Sequence, residues 1–291
     1  MKTVFVIGGA AVDITGRPDS LCRLRDSNPG TVRVTPGGVG KNIAKRLPAY
    51  GVQTELITAI GKGYHGQLIQ EDCAAARVSL TYARVLDEHT GTYLSVLDED
   101  GDMLVGVSDM HIFERLTPDY FAPLLPMLNG ADMAVLDGNL TPETLAYLTG
   151  NLTTPIFFDP VSCAKAKRIG DHIGRCYAIK PNRFEAGFLS GRSCDTIRGV
   201  YRASDWFIEQ GVTRVFISLG PEGVFYADKD DCGVLPSECA AVVDTTGAGD
   251  SMCGAIIDGC LRGLTAEQCA KNGNAASAAV CARMGAFQPA Q

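Results

Sequence analysis

The chain has 291 residues, of which 46% are hydrophobic, and its formal net charge is −7, which suits one large α/β domain and argues against a nucleic-acid partner. No run of about 18 apolar residues is present, so no membrane span is predicted. Eleven cysteines without a Cys-x-x-Cys pair, beside four histidines, predict reduced thiols in a cytoplasmic protein rather than a zinc site or a disulfide framework.

The first predicted element is a buried strand over residues 3–7, followed by Gly8-Gly9. A dinucleotide-binding fingerprint would need a third glycine and a helix directly afterwards, and both are missing. Asp13 is predicted to lie at the carboxyl end of this strand, where open α/β sheets bind ligands. The alternative interpretation is a turn-forming aspartate.

A glycine-rich segment follows at residues 36–42. It contains Gly-Lys but lacks the first glycine and the Ser/Thr of a phosphate-binding P-loop. Gly38 would let a substrate lie against the backbone, and the Asn42 amide can donate to and accept from a ribose diol. Asn42 is also predicted to start a helix that runs to Tyr50, with an N-cap role as the second interpretation.

Residues 31–35 alternate between polar and apolar types, and residues 90–97 and 103–107 predict a hairpin around an acidic turn. Together they predict a small sheet separate from the main one, a lid built from about 14–35 and 90–107. One of its faces should be apolar and uncovered by helices. Such a face either closes over a ligand or pairs with a second copy of the chain.

Further strands are predicted over residues 54–60, 131–136, 155–158, 176–179 and 215–219, with helices between them. This alternation predicts a parallel sheet with helices on both faces. Polar residues follow the strands, as ligand-binding sheets of this kind require. Asn182 and Glu185 share one helix face, either as ligands or as a capping box.

The segment around residues 240–251 is predicted to be a buried strand, a glycine turn and the start of a buried helix. Free N–H groups in the first helical turn would form an anion site at Gly247, Ala248 and Gly249. Two interpretations fit Asp250. It is either an N-terminal capping carboxylate or a base that receives a proton while a phosphate sits on the amides.

The sequence Asp-Thr-Thr-Gly-Ala-Gly-Asp at 244–250, with Gly-Gly-Val-Gly-Lys-Asn at 37–42 and Asn-x-x-Glu at 182–185, resembles the ribokinase-like (PfkB) carbohydrate and nucleoside kinases. The resemblance implies a ribokinase-like three-layer α/β sandwich in a single domain over 1–291, with a central, mainly parallel sheet and a small β-sheet lid. It also implies an ATP-dependent phosphotransferase that works with Mg²⁺, and a homodimer formed through the lid sheet.

The resemblance also implies roles for individual residues. Asp250 would be the catalytic base beside an anion hole, and Asp13, Gly38 and Asn42 would bind the substrate. ATP and Mg²⁺ binding would fall to Asn182, Glu185, Ser218, Gly220, Gly223 and Asn274. A monovalent cation, K⁺, would be bound by Asp244, Thr246, Val280, Arg283 and Gly285.

Three local segments, 26–30, 35–44 and 108–110, resemble the bacterial pseudouridine kinases within this family, and Val39 stands where plain ribokinases usually have Lys. Asn28, Asp109 and Asn139 are the candidates for contacting the base, because a uracil edge needs donors and acceptors. The resemblance implies ATP-dependent phosphorylation of the 5′-hydroxyl of pseudouridine. The alternatives are a kinase for another nucleoside or a free sugar such as ribose, and a non-catalytic binding protein.

Overall fold

The computed structural model describes residues 1–239 and 245–282. The strands are β1 Thr3–Ile7, β2 Ala11–Pro18, β3 Gly30–Gly37, β4 Gln53–Ile57, β5 Ala59–Gly61, β6 Arg84–Leu86, β7 Thr92–Leu97, β8 Met103–Asp109, β9 Met133–Asp137, β10 Ile156–Asp159, β11 Ala178–Ile179, β12 Arg214–Ser218, β13 Val224–Ala227 and β14 Cys232–Leu235.

The helices lie between and after these strands. They are α1 Val39–Arg46, α2 Tyr64–Ala75, α3 Pro118–Phe121, α4 Leu125–Leu128, α5 Pro142–Asn151, α6 Cys163–Ala166, α7 Arg183–Ser190, α8 Ile197–Glu209, α9 Ala248–Leu261 and α10 Ala266–Cys281. Short 3₁₀ segments cover Leu47–Tyr50, His111–Arg115, Ala122–Leu124, Lys167–Arg175 and Gly220–Glu222.

The described residues contain a main sheet of eight strands in the order β14-β13-β12-β11-β10-β9-β1-β4. Pairing is parallel from β4 through β12, and only β13 and β14 add antiparallel pairs. Val4 and Val6 point into one apolar core, while Phe5 and Ile7 point into the other. Because successive side chains of a strand alternate between faces, the sheet is packed on both sides. The predicted three-layer α/β arrangement is confirmed.

A separate four-stranded sheet has the order β3-β2-β7-β8. Its cross-strand register places Ile14 beside Val34 and Leu94, with Val107 opposite Leu94. These four residues therefore lie in one row on one face. Asp13, whose side chain alternates with that of Ile14, belongs to the other face. The predicted separate small sheet is present, with one apolar face and one polar face.

Local boundaries differ from two of the predictions, and a third cannot be compared. The strand expected over 54–60 is interrupted at Thr58, because β4 joins the main sheet while β5 pairs with β6. The helix expected to start at Asn42 begins at Val39, with Gly38 as its N-cap, so the N-cap interpretation of Asn42 is wrong. The strand predicted over 240–243 lies outside the described residues.

Asp13 does not end the first strand as predicted. It is the third residue of the separate strand β2, opposite Thr35. The chain leaves the main sheet through Gly8-Gly9 and begins a new strand at Ala11, which the sequence alone did not separate from β1. No helix in the described ranges is long and apolar enough to cross a membrane.

Candidate active site

The carboxyl ends of four neighbouring strands in the main sheet carry polar side chains. Asp137 ends β9 and Asp159 ends β10, Lys180 follows β11, and Ser218 ends β12. The parallel direction of β9 to β12 brings these residues to one edge, which is where sheets of this type bind ligands. The N-terminal turn of α9, with Asp250, lies close to this edge, since Asp159 and Lys180 both act electrostatically on Asp250.

Asp250 contacts Asn42, although the two residues are 208 positions apart. The Asn42 Nδ2 atom donates a hydrogen bond of 2.8 Å to Asp250 Oδ2. Asn42 lies inside α1, and Asp250 is the third residue of α9. The side chain predicted to bind a ribose diol and the carboxylate predicted to be the base therefore share one site. Gly247 is the N-cap of α9, so Asp250 is not the N-cap residue of this helix.

The electrostatic environment raises the pKa of Asp250 to about 6. Burial is the largest cause, because it disfavours the charged carboxylate, and the nearby Asp159 carboxylate acts in the same direction. The hydrogen bond from Asn42 and the positive charges of Lys180 and Arg46 partly offset these effects. A carboxylate with this pKa is ionised at neutral pH and is still a better proton acceptor than an ordinary aspartate.

The turn before α9 provides donors for an anion. Gly247 is the N-cap and has a φ of 76°, in the left-handed region. The amides of Gly249 and Asp250 belong to the first turn, whose N–H groups lack acceptors within the helix. The Ala248 amide is different, because it donates to the Thr245 carbonyl at 3.1 Å. The predicted anion hole therefore coincides with a turn in which the Ala248 N–H is already engaged.

Lys180 faces this turn. A Cβ atom on Gly249 would lie 3.5 Å from Lys180 Nζ, so the ammonium group lies against the backbone of the predicted anion hole. Burial works against its charge, but Cys253 first, and then the carboxylates of Asp159, Glu185 and Asp250, more than compensate and raise the pKa of Lys180. The ammonium lies 3.5 Å from Asp159 Oδ2. A permanent positive charge thus accompanies the amides.

Asn182 and Glu185 form the capping box that was the alternative interpretation of their spacing. Asn182 Oδ1 accepts from the Phe184 and Glu185 amides at 2.9 Å, and Glu185 Oε2 accepts from the Asn182 amide at 2.8 Å. The capping box uses only Oε2 of Glu185, so Oε1 can accept a hydrogen bond from another group. Burial first, and the neighbouring Asp159 second, raise the pKa of Glu185, because two carboxylates in one site repel each other.

These carboxylates fit a role near Mg²⁺. In residues 1–239 and 245–282, no group of three or more acidic, His or Cys side chains is arranged to hold a metal ion. Mg²⁺ usually keeps several waters and is bound through one or two carboxylates plus substrate phosphates. The pair Asp159 and Glu185 supplies two such carboxylates beside the predicted phosphate site. The prediction that Asn182 and Glu185 order Mg²⁺ therefore fits the donor set, acting through water.

A cavity of about 710 Å³ lies on the other side of the α9 turn. Ser218, Gly220, Gly223 and Asn274, all predicted to bind ATP, line it together with Gly249. The Asn274 amide donates to the Pro236 carbonyl at 2.7 Å, which fixes its orientation at the cavity wall. The structure thus brings the predicted nucleotide residues together in one space that opens onto the anion turn.

A buried carboxylate, Asp137, organises the substrate side. Its Oδ2 atom accepts from the Gly9 amide at 2.8 Å, the Gly40 amide at 2.9 Å and Asn139 Nδ2 at 2.9 Å. Gly38 precedes α1 with a φ of 96°, and a Cβ there would lie 2.6 Å from the Gly9 carbonyl oxygen. The two glycine-rich segments are therefore packed backbone to backbone and joined by one carboxylate.

Asp13 lies next to these segments, on the polar face of the small sheet. A Cβ on Gly37 would come within 2.1 Å of Asp13 Oδ2, so the carboxylate covers the glycine-rich segment. Burial raises the pKa of Asp13, while the buried ammonium of Lys41 lowers it. Lys41 itself is held by Asp72 at 2.7 Å and by the Pro36 carbonyl at 2.9 Å.

A second cavity, of about 670 Å³, lies where the small sheet meets α5 and the segment after β10. Ser108, Met110, Asn139, Lys165 and Arg168 are among its lining residues. Asn139 Oδ1 accepts from Lys165 Nζ at 2.6 Å, and since its Nδ2 donates to Asp137, the amide is fixed in one orientation. Asn139 is the predicted base-contacting residue that lines this cavity.

The other two predicted base-contacting residues are placed differently. The Asn28 side chain accepts from the Arg23 amide and donates to the Arg23 and Asp26 carbonyls. These hydrogen bonds hold the loop 23–28 together. Asn28 borders a separate cavity of about 140 Å³. Asp109 is exposed and contacts His111 Nδ1 at 2.8 Å. That contact lowers the pKa of Asp109.

The predicted monovalent-cation site is only partly described. Asp244, Arg283 and Gly285 lie outside the described residues. Val280 was predicted on a loop, but it lies within α10, because the helix continues to Cys281. Thr246 lies in the turn before α9. The K⁺ prediction remains untested.

Four polar residues of the site were not predicted as site residues: Asp137, Asp159, Lys165 and Lys180. One signal was available for three of them, since Asp137, Asp159 and Lys180 directly end or follow buried strands. Lys165 carries no comparable signal, because it lies in the short helix α6 and reaches the site only through Asn139.

Comparisons with known proteins agree with this geometry. Residues 1–291 match the family described as pfkB family carbohydrate kinase. Pseudouridine kinase of Escherichia coli strain K12 is 35% identical over 252 residues, which cover 86% of this chain and 80% of that protein.

Solved structures match in fold. A carbohydrate kinase from Agrobacterium tumefaciens is 26% identical, with a TM-score of 0.84, over 96% of this chain and 90% of that one. Arabidopsis thaliana ribokinase, solved with ribose and ATP, is 22% identical with a TM-score of 0.85 over 98% of this chain and 94% of that one. The chain therefore belongs to the pfkB family of carbohydrate kinases and is an ATP-dependent kinase with the ribokinase fold.

Proposed function

We propose that this kinase transfers the γ-phosphoryl group of ATP to the 5′-hydroxyl of a nucleoside, and that the nucleoside is pseudouridine. The observation that carries the mechanism is the 2.8 Å contact between Asn42 and Asp250. It joins a group suited to a ribose diol to a carboxylate with a pKa of about 6. The similarity to a pseudouridine kinase supports the choice of substrate.

Asp250 accepts the proton of the 5′-hydroxyl as that oxygen attacks the γ-phosphorus, while the bond from this phosphorus to the β–γ bridging oxygen breaks and ADP leaves. Phosphoryl transfer needs alignment and charge neutralisation more than covalent help. The Gly249 and Asp250 amides and the Lys180 ammonium take up the charge on the transferred group, because they meet at the N-terminal turn of α9. A bound Mg²⁺ would supply positive charge to neutralise the phosphates. Asp159, Glu185 and Asn182 would hold its water shell.

The base lies against Asn139 and Lys165 in this proposal. Lys165 uses one ammonium N–H on Asn139 and has two more for the cavity. A uracil ring offers carbonyl oxygens to such donors. Asn139 Oδ1 has a second lone pair, which can accept the additional ring N–H that pseudouridine has and uridine lacks. An acceptor left unpaired with uridine costs about 1–3 kcal/mol, or roughly 5- to 150-fold in discrimination.

The test compares kcat/KM for pseudouridine, uridine and ribose in the natural protein and in Lys165→Met. A hydrogen bond to a charged group contributes about 1.5–3 kcal/mol, so the variant should lose roughly 10- to 150-fold with pseudouridine. Ribose has no base and should be affected little. Lys167→Met is the matched control. Lys167 is exposed and follows Lys165 by two residues, and it is not among the residues that line the 670 Å³ cavity.

The competing function is a kinase for another nucleoside or for free ribose on the same site. Asp13, Gly38 and Asn42 would serve any ribose-containing substrate, and so would Asp250. If ribose or uridine is phosphorylated as efficiently as pseudouridine, this second function replaces the first. If kcat/KM falls equally for ribose and pseudouridine in Lys165→Met, Lys165 does not contact the base and its role is in packing.

We also propose that two copies of the kinase pair through the apolar face of the small sheet. Ile14, Val34, Leu94 and Val107 form one cross-strand row on this face. Val34, Leu94 and Val107 are exposed, Val107 to 57%. A contiguous apolar face on a lone subunit favours an interface. A two-fold related copy offers the same apolar face in return. The polar face with Asp13 then stays turned to the substrate.

A further inference from the structure

Two cysteines lie where the end of α9 meets the start of α10. Cys260 is the second-last residue of α9, and Cys269 is in the first turns of α10. Each thiol influences the ionisation of the other. The helices are close at this point, because a Cβ on the neighbouring Gly259 would lie 2.8 Å from Cys269 Sγ and 3.3 Å from its Cα.

One guanidinium group contacts both thiols. Arg214 Nη1 lies 3.7 Å from Cys260 Sγ and 3.6 Å from Cys269 Sγ. The guanidinium is itself positioned by the Tyr177 ring, whose centroid is 5.5 Å from Arg214 Cζ. A cation beside a thiol favours the thiolate, which is the reactive form. The kinase mechanism uses none of these four side chains.

The two thiols are not equivalent. Cys260 is partly exposed, while Cys269 is fully buried. The interaction with Cys269, helped by Arg214, lowers the pKa of Cys260, and the same interaction raises the pKa of Cys269. Cys260, which is partly exposed, is therefore the thiol that ionises first. Cys269 holds its proton, and both sulfurs lie within 3.7 Å of the same Arg214 nitrogen.

We propose that Cys260 and Cys269, with Arg214, form a thiol–disulfide exchange site that reacts with small-molecule disulfides. The Cys260 thiolate attacks one sulfur of the small disulfide, breaks its S–S bond and releases one thiolate. Cys269 then gives its proton to the released thiolate and attacks Cys260 Sγ. The second half of the small molecule leaves and takes a proton from solvent. Two protein thiols are oxidised to one disulfide, and one small disulfide is reduced to two thiols.

The site is remote from the phosphoryl-transfer chemistry. Ten residues of α9 separate Cys260 from Asp250, which is about 15 Å along the helix. The disulfide joins the end of the helix that carries Asp250 to the start of the helix that carries Asn274. It should therefore stabilise this helix pair and leave the contacts of the active site in place.

The experiment exposes the intact kinase to oxidised glutathione and maps its cysteines by mass spectrometry after trypsin digestion. Cleavage after Arg262 separates Cys260 from Cys269, so their disulfide joins two peptides. Fragmentation of the peptide 230–262 then distinguishes Cys260 from Cys232, Cys239 and Cys253. We expect this joined peptide in the natural protein. In Cys269→Ser, the glutathione adduct should instead persist on Cys260. If neither product forms while the exposed Cys232 has reacted, the proposal is wrong.

A second measurement tests the role of Arg214. An ordinary thiol is only about 3% ionised at pH 7, so losing the cation should slow the reaction of Cys260. We expect iodoacetamide at pH 7 to alkylate Cys260 at least about fivefold more slowly in Arg214→Gln. Cys232 is the internal reference and should react at an unchanged rate. Equal rates for Cys260 in both proteins would overturn the assignment of Arg214.

Discussion

Replacing Asp250 with Asn should abolish most of the activity and at the same time stabilise the fold. General-base help is worth about 10²–10⁴-fold, so turnover should fall by at least that range while nucleoside binding survives. The pKa of Asp250 is raised from 3.8 to about 6. Each pH unit of difference corresponds to about 1.36 kcal/mol, so keeping this carboxylate ionised costs the folded state about 3 kcal/mol at neutral pH.

The sign of the pH dependence follows from the raised pKa. At low pH the carboxyl is protonated in both states and costs nothing. As the pH rises above 3.8 the unfolded chain ionises first, and the stability of the fold falls until the folded pKa of about 6 is passed. In Asp250→Asn the side chain does not ionise, so the stability of the fold does not fall over this pH range. Its Oδ1 can still accept from Asn42, so the packing is kept.

Urea unfolding at about pH 5 and pH 8 measures the effect. The free energy of unfolding of the variant minus that of the natural protein should be up to about 3 kcal/mol at pH 8 and about half of that at pH 5. Asp132→Asn is the control of opposite sign, because a hydrogen bond from Lys2 lowers the pKa of Asp132. A variant that is less stable than the natural protein at pH 8, or that retains near-normal turnover, would refute the reasoning.

Three further predictions concern the site and the assembly. Asn42→Ala removes a hydrogen bond that favours the Asp250 carboxylate, so the acid limb of the kcat profile should move to higher pH; an unmoved limb would contradict this. Lys180→Met should lower kcat/KM for ATP by about 100-fold, checked by steady-state kinetics in which a loss below tenfold counts against the role. Val107→Asp should give monomers in sedimentation at micromolar concentration, whereas Ser108→Asp, on the opposite face of β8, should not.

The sequence predicted those parts of the molecule that depend on local patterns. Buried apolar runs separated by helices gave the parallel sheet, and alternation gave the small sheet. The glycine turn before α9 and the candidate nucleotide residues of the 710 Å³ cavity were also found from their local motifs. Each of these depends on residues that are near each other in the chain.

What the sequence did not predict depends on distant contacts. Gly38, with its positive φ, caps α1 four residues before Asn42, the residue that was expected to cap it. Asn42 thereby moves into the helix and faces Asp250, which no spacing rule could have indicated across 208 positions. From the sequence, Lys180 was only a residue at the end of a strand. Its place beside the predicted anion hole depends on α9, whose first turn packs against it.

The contacts of Asp137 imply that the substrate side of the active site forms later in folding than the nucleotide cavity. Its bonds to Gly9 and Gly40 join segments 128 and 97 residues apart in the chain. Contacts of such long range form late, because the chain entropy of closing large loops must be lost first. The nucleotide cavity is built from residues 182–281, with closures as short as the 38 residues between Pro236 and Asn274. During refolding, ATP binding should therefore return before binding of the phosphoryl acceptor, and acceptor binding reports the completed fold.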